Sequence, residues 1–203
     1  MSLLTPESVS AGLLAAALAG LLSATELRNV QYPRTFSLLR SSRALWLYVL
    51  IYAVAGFLFS LGSTWLVDSH SVSSLPKSVW LRALLLGLTT KALLKVNFYT
   101  FSIGTDKRSI GPELLLNYFE PDLLRQIVWD EDQARKRFIR ASPAAQLQLN
   151  VIQDVIRQNI PKNLSQAERA AFDVELTTAR RPEEALQVFL GFAGPTTFSR
   201  VFP

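Results

Sequence analysis

Apolar residues run through the first half of the chain in long blocks, whereas in the second half they recur at helical spacing. The clearest block is Ala44–Val67, 24 residues without a charge. A helix rises about 1.5 Å per residue and a bilayer's hydrocarbon core is about 30 Å thick, so roughly 20 residues suffice to cross it. Arg43 and Asp68 flank the block, and Trp46, Tyr48 and Trp65 lie near its ends, where interfacial aromatics anchor a span. A second block, residues 9–24, is Ala-rich and preceded by Thr5, Pro6 and Glu7, a cap, a first-turn proline and a first-turn acid. It lacks the positive start of a signal peptide and reads as a short span. A third block, residues 79–101, is apolar but carries Arg82, Lys91 and Lys95, which makes crossing expensive. It reads as a third span whose lysines snorkel or meet a partner.

Beyond residue 104 the pattern is helical, with no strand or hairpin signal. Pro112–Phe119 reads as a short helix, and Pro121 or Asp122 opens another that runs to Ile139. Ser142-Pro143 starts the next, which extends to Asn159. Ser165 and Glu168 have the spacing of a capping box for a helix to Ala179. Pro182–Leu190 is the last, with Gly191 as its stop and Phe198, Val201 and Phe202 in a docking tail. The expected fold is therefore all-α. A polytopic transmembrane bundle of about three spans (residues 1–103) precedes a soluble helical domain (residues 104–203).

Charge supports that division. The chain has a formal net charge of +5. Residues 104–203 hold thirteen Lys/Arg and thirteen Asp/Glu, while residues 1–103 hold eight against three, so the whole excess sits in the membrane half. A nucleic-acid partner would want it on the exposed domain. Arg28, Arg34, Arg40 and Arg43 cluster between the first two spans, which makes that loop cytoplasmic. Three spans then leave the N-terminus outside and the C-terminal domain in the cytoplasm, and the Ala-, Arg- and Leu-rich composition suggests a bacterial inner membrane. A third segment lying on the surface instead would put that domain outside.

Small residues recur every four positions, at Gly12, Ala16 and Gly20 and again at Gly56, Ser60 and Thr64. Such stripes let helices approach closely in lipid, within one chain or between copies of a homo-oligomer. Lys91 and Lys95 share a helical face, opposite Arg82, and in a ring of subunits they could line a pore attractive to anions. In the second half, Glu131–Arg135 and Asp132–Lys136 have salt-bridge spacing. Arg135, Lys136, Arg137 and Arg140, joined by Arg180 and Arg181, could form a patch for an anion or a protein partner. The plain alternative for these charges is a solvated helix face.

Chemistry is sparse. There is no cysteine and one histidine, His70, in a Ser-rich loop with Ser69 and Ser71. That set cannot supply thiolate or multi-histidine metal sites, and no phosphate loop or nucleophile-elbow motif occurs. No catalytic residue, metal site or cofactor is expected. The sequence points to a non-enzymatic membrane subunit that oligomerises and uses its cytoplasmic helices to hold or sense a soluble partner. The alternative is a homo-oligomeric channel or membrane-permeabilising effector gated by that domain.

Overall fold

The computed structural model describes residues 5–68, 76–95, 99–103, 106–110, 112–161 and 164–203. His70 with its neighbouring serines and residues 96–98 of the expected third span lie outside the described residues. The described chain is predominantly helical. Its helices are α1 (Pro6–Glu26), α2 (Arg43–Asp68), α3 (Val79–Leu94), α4 (Pro112–Arg140), α5 (Leu149–Gln158), α6 (Gln166–Thr178) and α7 (Pro182–Val201). It departs from the all-α expectation at one place. Strands β1 (Tyr99–Ile103) and β2 (Asp106–Ile110) pair antiparallel, Tyr99 opposite Ile110 and Ile103 opposite Asp106.

Two compact units form. Met1–Leu27 with Arg43–Gln126 make the first, and Arg28–Ser42 with Ile127–Pro203 the second. The dividing points are therefore not at residue 103: α4 is shared, and the connection between α1 and α2 packs with the C-terminal residues.

In the first unit, α1 starts where the sequence places it, with Thr5 Oγ1 accepting the Ser8 N–H at 3.1 Å. Among the described residues, α1 and α2 are the two helices long and apolar enough to cross a membrane. α3 is not a third of that kind. It begins at the Ser78 cap and ends at Leu94, 16 residues and roughly 24 Å, below the length of a span. The helix stops short of residue 101 because the last residues of the expected segment enter β1, where Tyr99, Thr100 and Phe101 suit a strand as well as they suit an apolar helix.

Packing in this unit runs through small residues. Ala11, Ala15 and Ala83 form a fully buried seam. Gly56 meets Ala15 and Ala19, Gly20 meets Val49 and Ala53, and Gly87 meets Ala15 and Leu18. These pairings run α2 antiparallel to α1 and bring α3 back parallel to α1. The C-terminal ends of α1 and α3 and the start of α2 therefore lie at one end of the bundle. The large apolar side chains point the other way: Leu13, Leu21, Trp46, Leu50, Leu58, Trp65 and Leu84 are exposed. Only 39% of the apolar window of the first span and 33% of the second is buried, which is the reverse of a soluble core helix.

The second unit has an ordinary aliphatic and aromatic core. Ile152, Ile156, Phe172, Leu176, Leu186, Phe189 and Phe198 are all but fully buried together. α5 and α6 pack on α7, and the Ser165–Glu168 capping box that starts α6 is formed in both directions, at 3.2 and 2.8 Å. Two helix boundaries differ from expectation. α4 runs unbroken through Pro121, so the two expected helices are one. A proline removes a single backbone donor, a loss that one helix can tolerate when its neighbours continue the ladder. The stop expected at Gly191 falls instead at Gly194, whose φ of 78° interrupts α7 just before Pro195. Gly191 stays helical against the Arg135 guanidinium.

Gly194 is a position that only glycine fills comfortably. Its φ is left-handed, and an added Cβ would sit 3.2 Å from the Arg34 carbonyl oxygen. Gly194→Ala is expected to destabilise the second unit by roughly 1–2 kcal/mol. Chemical denaturation monitored by far-UV circular dichroism would check it, and an unchanged midpoint would contradict it.

Candidate functional site

Polar groups gather at the end of the first unit where α1 and α3 finish and α2 starts. Glu26, in the last turn of α1, forms an ion pair with Lys91 of α3. The Lys91 ammonium also stands 5.6 Å from the Tyr52 ring centroid, within cation–π range. Tyr52 and Tyr48 are one turn apart on α2, their rings 5.0 Å from each other. Both hydroxyls donate to the same oxygen, Oε1 of Glu120, at 3.1 and 3.0 Å. The side chains of Tyr48 and Tyr52 are buried, so the hydroxyls need a partner, and α4 supplies it.

Beside this polar end lies a cavity of about 270 Å³. Apart from the two tyrosine hydroxyls and Glu120, its lining is hydrocarbon and aromatic, from α2, from Leu94 of α3 and from the first half of α4. Among the described residues, no group of three His, Asp or Glu side chains is placed to hold a metal ion.

The basic residues singled out in the third segment separate. Lys91 is half-buried in its pair with Glu26, and Lys95 lies at the cap beyond α3, exposed. Arg82 is 3% exposed, and its Nε and Nη1 have no hydrogen-bond partner among the described residues. The three do not form one face. The small-residue stripes serve contacts inside the chain: Gly12 lies under the Phe57 ring, and Gly20 and Gly56 sit in the α1–α2 seam. Ala16 is half-buried beside them, and Ser60 is buried, accepting hydrogen bonds from Ser63 and Thr64. Gly12 and Gly56 of the stripes are among the tightest positions, and Ala15, Ala19 and Gly87, which the stripes did not include, are their partners or equals.

In the second unit the residues 28–42 are tied down by polar contacts. Thr35 Oγ1 donates to Glu131 Oε1 at 2.5 Å, and Ser42 Oγ donates to Asp130 Oδ2 at 2.6 Å. Arg34 pairs with Glu168 at 2.8 Å. The Ser165 backbone and side chain, with Arg34 after them, hold the Glu168 carboxyl below the usual glutamate range. Burial, reinforced by the Glu131 charge, pushes the Tyr32 phenol up and keeps it neutral. Leu38 packs on the core and Leu39 is buried.

Half of the candidate basic patch is committed to acids. Arg135 pairs with Glu131, Lys136 with Asp132 at 2.5 Å, and Arg181 with Glu184 at 2.7 Å. Arg137, Arg140 and Arg180 are exposed. Glu26, Tyr52 and Glu120 escaped the sequence reading, which took Tyr48 for an interfacial anchor. The one available signal was the four-residue spacing of the two tyrosines inside an apolar run, which suits an interfacial anchor equally well.

Comparison with family models, with characterised proteins and with solved structures finds no match to this chain.

Proposed function

We propose that this chain is a non-enzymatic integral membrane subunit, anchored by α1 and α2, whose helical second unit receives a soluble partner. One observation carries the reading. The segment joining the two candidate spans folds with residues 127–203 through Thr35–Glu131, Ser42–Asp130 and Arg34–Glu168. A partner acting on that unit therefore acts on a body covalently joined to the ends of both membrane helices. The outward-facing Leu and Trp side chains of α1 and α2 support the membrane setting. Arg28, Arg34, Arg40 and Arg43 favour a cytoplasmic second unit. Because α2 leaves the chain on the far side, α3, which runs back parallel to α1, has to return it to the cytoplasmic side.

The channel reading has less behind it. Lys91, its central residue, is neutralised by Glu26 of the same chain. The small-residue contacts that would join subunits are used within one bundle.

The full chain made in a bacterium is expected to stay with the membrane after an alkaline wash. Protease added to intact spheroplasts should leave the C-terminal half whole, and lysis should expose it. Release by the alkaline wash would overturn the membrane reading, and cleavage in intact spheroplasts would reverse the orientation.

A further inference from the structure

The cavity beside Glu120 has two chemically distinct parts. Along α2 its lining runs from Tyr48 to Phe59, twelve residues spanning roughly 16 Å of helix. At the Tyr48 end stands the Glu120 carboxylate. Towards Phe59 everything is apolar. Val54, Leu58 and Phe119 are 47%, 59% and 49% exposed, so the cavity opens sideways onto the medium around α2.

An apolar cavity of this size holds water poorly. If α2 spans a bilayer, the medium at its open side is lipid. We infer that this cavity is a lipid site: it takes an acyl chain along α2 and an ammonium-bearing phospholipid head group, of the ethanolamine class, at Glu120. The inference rests on the membrane reading above.

Charge selects the head group. Both tyrosine hydroxyls bond Glu120 Oε1, and no described residue bonds Oε2. That oxygen is free to accept from an ammonium. A phosphate alone would be repelled by the carboxylate, whereas a zwitterion presents its ammonium there. The phosphate has a cation within the same end of the bundle: exposed Lys95 directly follows Leu94, which lines the cavity. Lys91 is already paired with Glu26. A glycerol head group, with a phosphate and no ammonium, satisfies Lys95 and leaves Glu120 facing an anion. The volume is near the lower end of the ligand-site range of roughly 300–1,000 Å³, which fits one chain better than two.

The test uses the full chain in nanodiscs holding equal amounts of ethanolamine and glycerol phospholipids, followed by native mass spectrometry of the lipid that stays bound. A roughly three-fold enrichment of the ethanolamine lipid is expected, the scale that a partly exposed ion pair provides. Glu120→Gln should remove the preference, with lipid still retained, and Ala55→Trp, which fills the cavity, should lower total retention. Thermal melting in detergent keeps a misfolded variant from being scored. Equal retention of both lipids by the natural chain, or a preference that survives Glu120→Gln, overturns the inference while the membrane reading stands. A chain that never enters the nanodisc overturns both.

Discussion

Phe189→Ala is expected to remove about 3–5 kcal/mol from the second unit, the range for emptying a phenylalanine site in a closed core. Phe189 is fully buried, between the rings of Phe198 at 6.1 Å and Phe202 at 5.9 Å. Leu186 and Leu190 of the same helix belong to that core, and α7 is where α5 and α6 both pack. Domains are typically stable by only about 5–15 kcal/mol, so the variant should stand close to unfolded. Urea denaturation of the full chain in detergent, followed by hydrogen exchange in α7, would measure it. Val174→Ala is the control. Val174 is 66% exposed on α6, and its loss should stay within about 0.5 kcal/mol. A Phe189→Ala midpoint no lower than that of the control would mean that α7 is not the centre of this unit.

Gly56→Leu and Gly87→Leu should each loosen the three-helix bundle by about 1–3 kcal/mol, the usual cost of forcing bulk into a filled site. At both positions an added Cβ would lie 2.9 Å from the Ala15 carbonyl oxygen, a backbone atom that cannot rotate away. At Gly56 it would also meet the Ala19 Cβ at 2.9 Å, and at Gly87 the Leu18 Cβ at the same distance. Because the two glycines press on one peptide group, the double variant should cost something other than the sum. Gly62 has nothing within 4 Å of its added Cβ, so Gly62→Ala should leave the bundle intact and raise its stability by up to about 1 kcal/mol. The measurement is the midpoint of thermal unfolding in one detergent. If Gly56→Leu melts with Gly62→Ala, the seam described for α1 and α2 is not the one the protein uses.

The elements that were legible in the sequence were those with strong local chemistry. The Thr5 and Ser165 caps, the charge-free run into Val67 and the Glu131–Arg135 and Asp132–Lys136 pairs all rest on residues within four positions of each other. Where a boundary depended on distant packing, the local signal pointed elsewhere. Pro121 looks like a break and lies inside α4. Gly191 looks like a stop, yet the helix persists to Gly194, where the Arg34 carbonyl lies too close for a side chain. The Tyr99–Phe101 stretch is apolar enough to extend a span and β-prone enough to leave one. The candidate site was hidden for the same reason. Glu26 and Lys91 are 65 residues apart and Tyr52 and Glu120 are 68 apart. Nothing in the run of letters links a loop-edge acid to a lysine in an apolar helix. The small-residue stripes included Gly12 and Gly56, both in the tightest contacts, but Ala15, Ala19 and Gly87 on the other side of those contacts emerge only when three helices are considered together.

The connection between α1 and α2 also fixes an order of events during synthesis. Arg34, Thr35 and Ser42 find their partners at Glu168, Glu131 and Asp130, and the Arg34 carbonyl lies against Gly194. All of those partners leave the ribosome long after α1 and α2 have done so. The connecting segment of the α1–α2 hairpin therefore waits for its partners, and the second unit can close only when the chain is nearly finished. A nascent chain halted before Gly194 would carry both apolar helices and an unclosed grip on them, a state that a cell's quality-control proteases could tell from the complete protein.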